Sequence, residues 1–190
     1  GVALHYVLGT IALQTAPNPE GPWTAPKKLL GWSSSSSYSS TGVTTNVPSI
    51  RAAIDRAGHP ALLLVDTISS LGSIDYRHDE WGVDVTVGGS QKGLMLPPGL
   101  SFNAVSRKAM DASAHAKLPR SYWDWKEMLA ANATGYFPYT PATNLLYGLH
   151  EALVILEEEG LENAWARHAH QHAALAAGLA ALGIDFVVDA

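Results

Sequence analysis

Three short apolar runs are spaced along the chain between stretches of helical period. Leu62 to Val65 is wholly apolar and short, the pattern of a strand buried on both faces of a parallel sheet. Val83 to Val87 is a second such run and Leu100 to Val105 a third. Between and beyond them the apolar spacing becomes that of a helix. Pro48 suits the first turn of a helix running to about Ala57, with Ile50, Ala53 and Ile54 as its apolar positions. Gly58-His59-Pro60 stops it. Helical patterns follow at 106–116 and 122–132. Thr143 to Glu159 is long and amphipathic, with Leu146, Leu149, Leu153 and Leu156 on one side, and Gly160 ends it. Leu161 to Leu182 is an Ala-rich helix stopped by Gly183, and Ile184 to Val188 begins a further strand. Strands alternating with helices predict an α/β domain on a mostly parallel sheet flanked by helices. The two long helices predict a passage toward a second domain.

The first forty residues follow a different pattern. Pro17, Pro19, Pro22 and Pro26 crowd one stretch and disfavour regular structure there. The serine run Ser33 to Ser37 reads as a low-complexity connector. At its end, Ser39-Ser40-Thr41-Gly42 offers hydroxyls beside a glycine turn.

Composition narrows the function classes. At 47% hydrophobic and 15% charged residues, the chain has the apolar content of a packed domain rather than of a disordered one. A net charge of −5 without a Lys/Arg cluster argues against nucleic acid as a partner. The absence of cysteine removes disulfides, thiolate catalysis and Cys-ligated metals, and fits a reducing, cytoplasmic setting. No run approaches the ~18 apolar residues of a membrane span, so no membrane partner is expected.

The candidate chemistry sits at the ends of two apolar runs. Asp66 closes Ala61-Leu62-Leu63-Leu64-Val65-Asp66. Lys92 follows the second run, in Gly89-Ser90-Gln91-Lys92-Gly93. A strand-end carboxylate and a strand-end amine among small residues suit pyridoxal phosphate. The amine condenses with the cofactor aldehyde, and the carboxylate keeps the pyridine nitrogen protonated so that the ring draws electrons. Other clusters read more plainly. His168 and His172 stand four apart, a spacing that binds zinc, but with no Glu between them and no third ligand they read as a solvated helix face. Glu157-Glu158-Glu159 reads as a solvated helix end, Trp123 and Trp125 as packing aromatics, and Asp75, Asp79, Glu80 and Asp84 as loop and cap residues.

With the Asp66 and Lys92 pair, several stretches resemble the class V aminotransferases, fold-type I pyridoxal-phosphate enzymes. They are Leu63-Leu64-Val65-Asp66-Thr67-Ile68-Ser69-Ser70, Gly89-Ser90-Gln91-Lys92-Gly93-Leu94, Pro119-Arg120-Ser121-Tyr122-Trp123-Asp124-Trp125 and Gly135-Tyr136-Phe137-Pro138-Tyr139-Thr140-Pro141. The last two are most similar to the serine–glyoxylate and alanine–glyoxylate branch. The resemblance runs from about Ser39 to the C-terminus. It implies that Lys92 binds the cofactor aldehyde and shuttles a proton, and that Asp66 pairs with the pyridinium nitrogen. It implies Ile68 under the ring, Gln91 at the phosphate and Ser39 near the phenolic oxygen. It implies a homodimer in which Thr140 reaches the partner's cofactor, with an amino acid and an oxo acid as small-molecule substrates. The implied organisation is a divergent Pro/Ser-rich segment at 1–38, part of the cofactor-binding large domain at 39–160, and a connecting helix with the start of a truncated small domain at 161–190. Two positions depart from the pattern: Ser36-Ser37-Tyr38 replaces a His-x-Glu, and His150 replaces an Arg. The implied activity is transfer of an amino group from serine or alanine to glyoxylate or a similar oxo acid. The alternative is a truncated, non-catalytic fragment that associates with itself.

Overall fold

The computed structural model describes residues 2–7, 10–15, 27–30 and 43–186. The chain divides into two compact units, one of residues 1–65, 77–83 and 169–190, the other of residues 66–76 and 84–168.

In the first unit, β1 (Val2–Val7), β2 (Thr10–Thr15) and β3 (Lys27–Leu30) form an antiparallel sheet in that order. Val2 faces Thr15 and Val7 faces Thr10, and the register slips at Ile11/Ala12 against β3. The sequence pattern did not predict these strands. They use proline-free stretches with Val, Ile, Tyr and Thr, which suit a pleated surface. The prolines at 17, 19, 22 and 26 and the serine run lie outside the described residues. Helix α1 (Val47–Arg56) starts as expected. The Asn46 side chain accepts from Ser49 N–H at 3.0 Å, and Pro48 sits in the first turn, where its missing N–H costs nothing. Gly58 at φ +58° ends it in the left-handed conformation that glycine tolerates.

Strand β4 (Leu64–Asp66) is not buried on both faces. Ala61 and Leu63 are buried while Leu64 is half exposed, so the run alternates as a strand with one covered face does. The second sheet has the order β4-β5-β6, with β5 at Val85–Gly89 and β6 at Ser101–Val105. β5 and β6 are antiparallel, from Val85 opposite Val105 to Gly89 opposite Ser101. This corrects the expectation of a mostly parallel sheet. Residues 90–100 return the chain directly, without the crossover helix that a parallel neighbour needs.

Helix α2 (Arg107–Ala114) is capped by Ser106, whose hydroxyl accepts from Ala109 N–H at 3.1 Å and donates to Asp84 Oδ1 at 2.9 Å. Lys108 Nζ lies 3.6 Å from Asp84 Oδ2, so the buried Asp84 ties the start of β5 to the start of α2. A short 3-10 turn (Ser121–Trp123) leads to α3 (Trp125–Asn132), capped by Asp124. Trp125 Nε1 donates to Asn103 Oδ1 at 3.1 Å, whereas Trp123 is 74% exposed and lies outside the core.

Helices α4 (Thr143–Glu159) and α5 (Leu161–Ala181) meet at Gly160, which has φ +81°. The core of the second unit is Leu94, Leu96, Ala152, Leu156 and Ala164, with Leu71, Leu100, Phe102 and Leu149 against it. The buried line on α4 is therefore Leu149, Ala152 and Leu156, and Leu153 stays half exposed. At ~100° per residue those three positions cluster within about 60° of arc, with Leu146 and Leu153 on the flank. The apolar stripe was predicted correctly in kind but rotated. Residues 184–186 are not a strand, and 187–188 lie outside the described residues.

Glu159 is not simply solvated. Both its carboxylate oxygens accept from Arg167, Oε1 from Nε at 2.6 Å and Oε2 from a terminal nitrogen at 2.7 Å. Hydrogen bonding to Arg167 holds the Glu159 carboxyl below the usual Glu range. A depressed folded-state pKa means that the pair's contribution is present above the unfolded carboxylate pKa and is lost as pH falls through the folded value. Because the pair faces solvent, its effect on stability is small. An NMR pH titration is expected to find Glu159 titrating below the ordinary Glu range, and Arg167→Ala to return it there. A Glu159 that titrates identically in both proteins contradicts the pairing.

Candidate active site

The two sequence-predicted residues stand on neighbouring loops of the second unit. The first loop follows β4. Thr67 is almost fully buried and donates twice to Val87 O, from its N–H at 2.8 Å and its hydroxyl at 3.0 Å. This fixes the end of β4 beside β5. Ile68 N–H then donates to Asp66 Oδ1 at 2.9 Å, an Asx turn that orients the carboxylate. Asp66 is exposed, and among the described residues its Oδ2 accepts no hydrogen bond.

The second loop joins β5 to β6 and carries Lys92. Ser90 at its base is fully buried. Lys92 is exposed, and among the described residues its amine has no hydrogen bond or ion pair. The two loops touch backbone to backbone. A Cβ on Gly93 would collide with Leu71 O and come within 2.6 Å of Ser73 Oγ, and a Cβ on Gly72 would sit 3.1 Å from Gly93 O. Only glycine permits this approach, and Gly72 at φ +80° also takes a conformation that glycine favours.

Gly89 brings two more predicted residues together. A Cβ there would lie 2.9 Å from Gln91 Oε1 and 3.5 Å from Ile68 Cδ1. The apolar side chain of one loop and the amide of the other thus meet over a bare backbone. Thr140 is exposed in the segment between α3 and α4, and no hydrogen bond ties it to either loop among the described residues. Ser39 lies outside the described residues.

Several residues that build the site were not singled out from sequence: Thr67, Gly72, Ser90 and Gly93. Their only signal was small residues beside Asp66 and Lys92, which has an equally good local explanation in turns. An apolar groove of about 750 Å³ lies between Leu71, Ile74, Phe102, Leu153, Leu161 and Trp165. Tyr76 reaches it with its hydroxyl 2.6 Å from Thr86 Oγ1, and burial pushes its phenol up despite that bond. Tyr122, Trp123 and Tyr139 form a separate exposed aromatic cluster, with Tyr122 4.8 Å from Tyr139 and 5.7 Å from Trp123 between ring centroids. The histidines of α5 build no metal site: among the described residues no group of three potential ligands assembles. Nor is any described helix long and apolar enough to cross a membrane.

The groups present suit pyridoxal phosphate at three points. Among the described residues Asp66 Oδ2 is free to face a protonated ring nitrogen, Lys92 offers an uncommitted amine, and Ile68 and Gln91 converge over the bare Gly89. Gln91 carries a neutral amide donor of the kind a phosphate accepts from.

The serine–glyoxylate aminotransferase of Methylorubrum extorquens is 53% identical over 149 residues, covering 76% of this chain and 37% of that protein. The L-aspartate–glyoxylate aminotransferase of Paracoccus denitrificans is 51% identical over 128 residues, covering 67% and 32%. Among solved structures, the alanine–glyoxylate aminotransferase of Nostoc sp. superposes with a TM-score of 0.71 at 32% identity, covering 79% of this chain and 40% of that one. The chain therefore spans between a third and two fifths of the length of the relatives it matches. The family model for class V aminotransferases matches residues 32–187, and the chain belongs to that pyridoxal-phosphate-dependent family.

Proposed function

We propose that the chain carries the cofactor-anchoring part of an aminotransferase that moves an amino group from serine or alanine to glyoxylate or a similar oxo acid. The observation that carries this reading is the clasp between the Asp66 and Lys92 loops, which sets a free carboxylate oxygen and an uncommitted amine on adjoining backbone. Glyoxylate as acceptor is supported by the relatives from Methylorubrum and Paracoccus, both glyoxylate aminotransferases whose amino donors differ. In this reading residues 39–160 belong to the large domain and 161–190 lead into a small one.

When bound, pyridoxal phosphate supplies an aldehyde and an electron-withdrawing ring. Asp66 would hold a proton on the ring nitrogen by charge pairing through Oδ2. With the cofactor bound, Ile68 would lie against the ring and Gln91 would donate to the phosphate. Lys92 Nζ would hold the cofactor through its aldehyde and, when not so held, would accept the substrate's α-proton and hand it back. In a homodimer Thr140 would donate to the phosphate held by the partner.

Borohydride trapping with pyridoxal phosphate and peptide mass mapping is expected to mark Lys92. An adduct on Lys108 or Lys126 instead sinks the assignment. A second reading, a self-associating piece without turnover, draws on the exposed aromatic cluster of Tyr122, Trp123 and Tyr139, the type of surface that marks association sites. It predicts concentration-dependent dimers by sedimentation with no trapping at Lys92.

A further inference from the structure

We propose that Ser90 is the positioning residue for Lys92, acting as a latch that closes the 90–100 loop and so fixes where the amine points. The inference rests on the reading of Lys92 as the cofactor-capturing amine. The Lys92 side chain has no polar partner of its own among the described residues, so its direction is inherited from the backbone. That backbone is closed almost entirely by Ser90. Its N–H donates to Leu100 O at 3.2 Å, and its carbonyl accepts from Leu96 N–H at 3.0 Å. Its hydroxyl donates to Pro97 O at 2.7 Å and accepts from Leu100 N–H at 3.2 Å. The hydroxyl is needed because Pro97 and Pro98 carry no N–H and cannot extend a backbone ladder into the loop.

Inside the latch the loop is strained. Met95 N–H donates to Lys92 O at 2.8 Å, and Met95 holds φ +61°, a left-handed conformation that a non-glycine residue adopts at a cost. Such a conformation persists where surrounding contacts over-determine it. Ser90 on one side and the Gly72/Gly93 contact on the other are those constraints. Without the hydroxyl, the loop relaxes at Met95 and the amine loses its fixed approach.

Ser106 provides a matched control, since its hydroxyl also makes one bond as donor and one as acceptor in the same unit, but at the start of α2. Two readouts are taken on the wild-type chain and on Ser90→Ala, Ser90→Cys and Ser106→Ala. One is amide hydrogen exchange at Met95, Leu96 and Leu100. The other is borohydride-trapped pyridoxal phosphate at Lys92 relative to Lys108 and Lys126. Ser90→Ala is expected to speed exchange at those amides and to lower Lys92 selectivity about tenfold or more, because near-attack geometry is lost. Ser90→Cys, which fills the same buried space with a weaker donor, should fall in between and gives a reading even if the alanine variant unfolds. Ser106→Ala should keep Lys92 selectivity within roughly twofold of wild type. Selectivity unchanged in both Ser90 variants overturns the proposal, as does an equal loss in Ser106→Ala, which would mean stability alone is at work. No Lys92 preference in the wild-type chain overturns the cofactor reading itself, and the latch role with it.

Discussion

Gly93→Ala is expected to lower the unfolding free energy by at least about 3 kcal/mol, the upper range for overpacking a well-packed site. The added methyl would meet Leu71 O, Ser73 Oγ and the Gly72 carbonyl carbon, and two of those three atoms are backbone. A flexible side chain could swing aside, but here the loop after Asp66 and the loop after Lys92 must separate. Their separation would also pull Leu94 and Leu96 from the core they share with Ala152, Leu156 and Ala164. Gly178→Ala is the opposite case. It sits exposed in α5 with nothing within 4 Å of its would-be Cβ, and should gain roughly 0.5–1 kcal/mol from helix propensity. Urea unfolding of the two variants checks both signs. A Gly93→Ala protein as stable as wild type would mean that the two loops are not clasped.

Asp66→Asn should slow amino transfer by about 10²–10³-fold while leaving the fold nearly intact. The structure explains why the two effects separate. Asp66 contributes to folding through Oδ1, which accepts from Ile68 N–H, and an asparagine keeps that acceptor. What it loses is the negative charge on the oxygen that has no partner among the described residues. An amide cannot hold a proton on a pyridine nitrogen by charge pairing. Single-turnover rates with saturating cofactor, measured in a chain extended to the length of its relatives, read the chemistry. Thermal unfolding reads the fold. A rate equal to wild type would remove Asp66 from the mechanism. A large fall in thermal stability would show that its role is structural.

Helix starts and stops were legible in the sequence because their signals are local. Pro48 opens α1, Gly58 closes it, and Gly160 separates α4 from α5, each through its own backbone chemistry. Asp66 and Lys92 were legible for the same reason, as polar residues abruptly ending apolar runs. The direction of β6 was not. Whether the strand after Lys92 runs parallel or antiparallel to β5 depends on the path of residues 90–100, which no periodicity encodes. The buried phase of α4 was missed for a related reason. The stripe through Leu146 and Leu153 is as apolar as the one through Ala152, and only the seat of Leu94 and Leu96 selects between them. The Glu159–Arg167 pair spans a helix break, so no single-helix spacing predicts it.

By itself the sequence determined which segments are helices and where glycine stops them, and it singled out Asp66 and Lys92 as candidates, because each of these follows from neighbours within a few residues. Only the tertiary structure decided that the two loops meet at Gly72 and Gly93, that Ile68 and Gln91 converge over Gly89, and that Ser90 closes the Lys92 loop. The first two join residues some twenty positions apart and are fixed by steric fit once β4 lies beside β5. The third depends on the path of residues 90–100, which brings Pro97 and Leu100 back to Ser90.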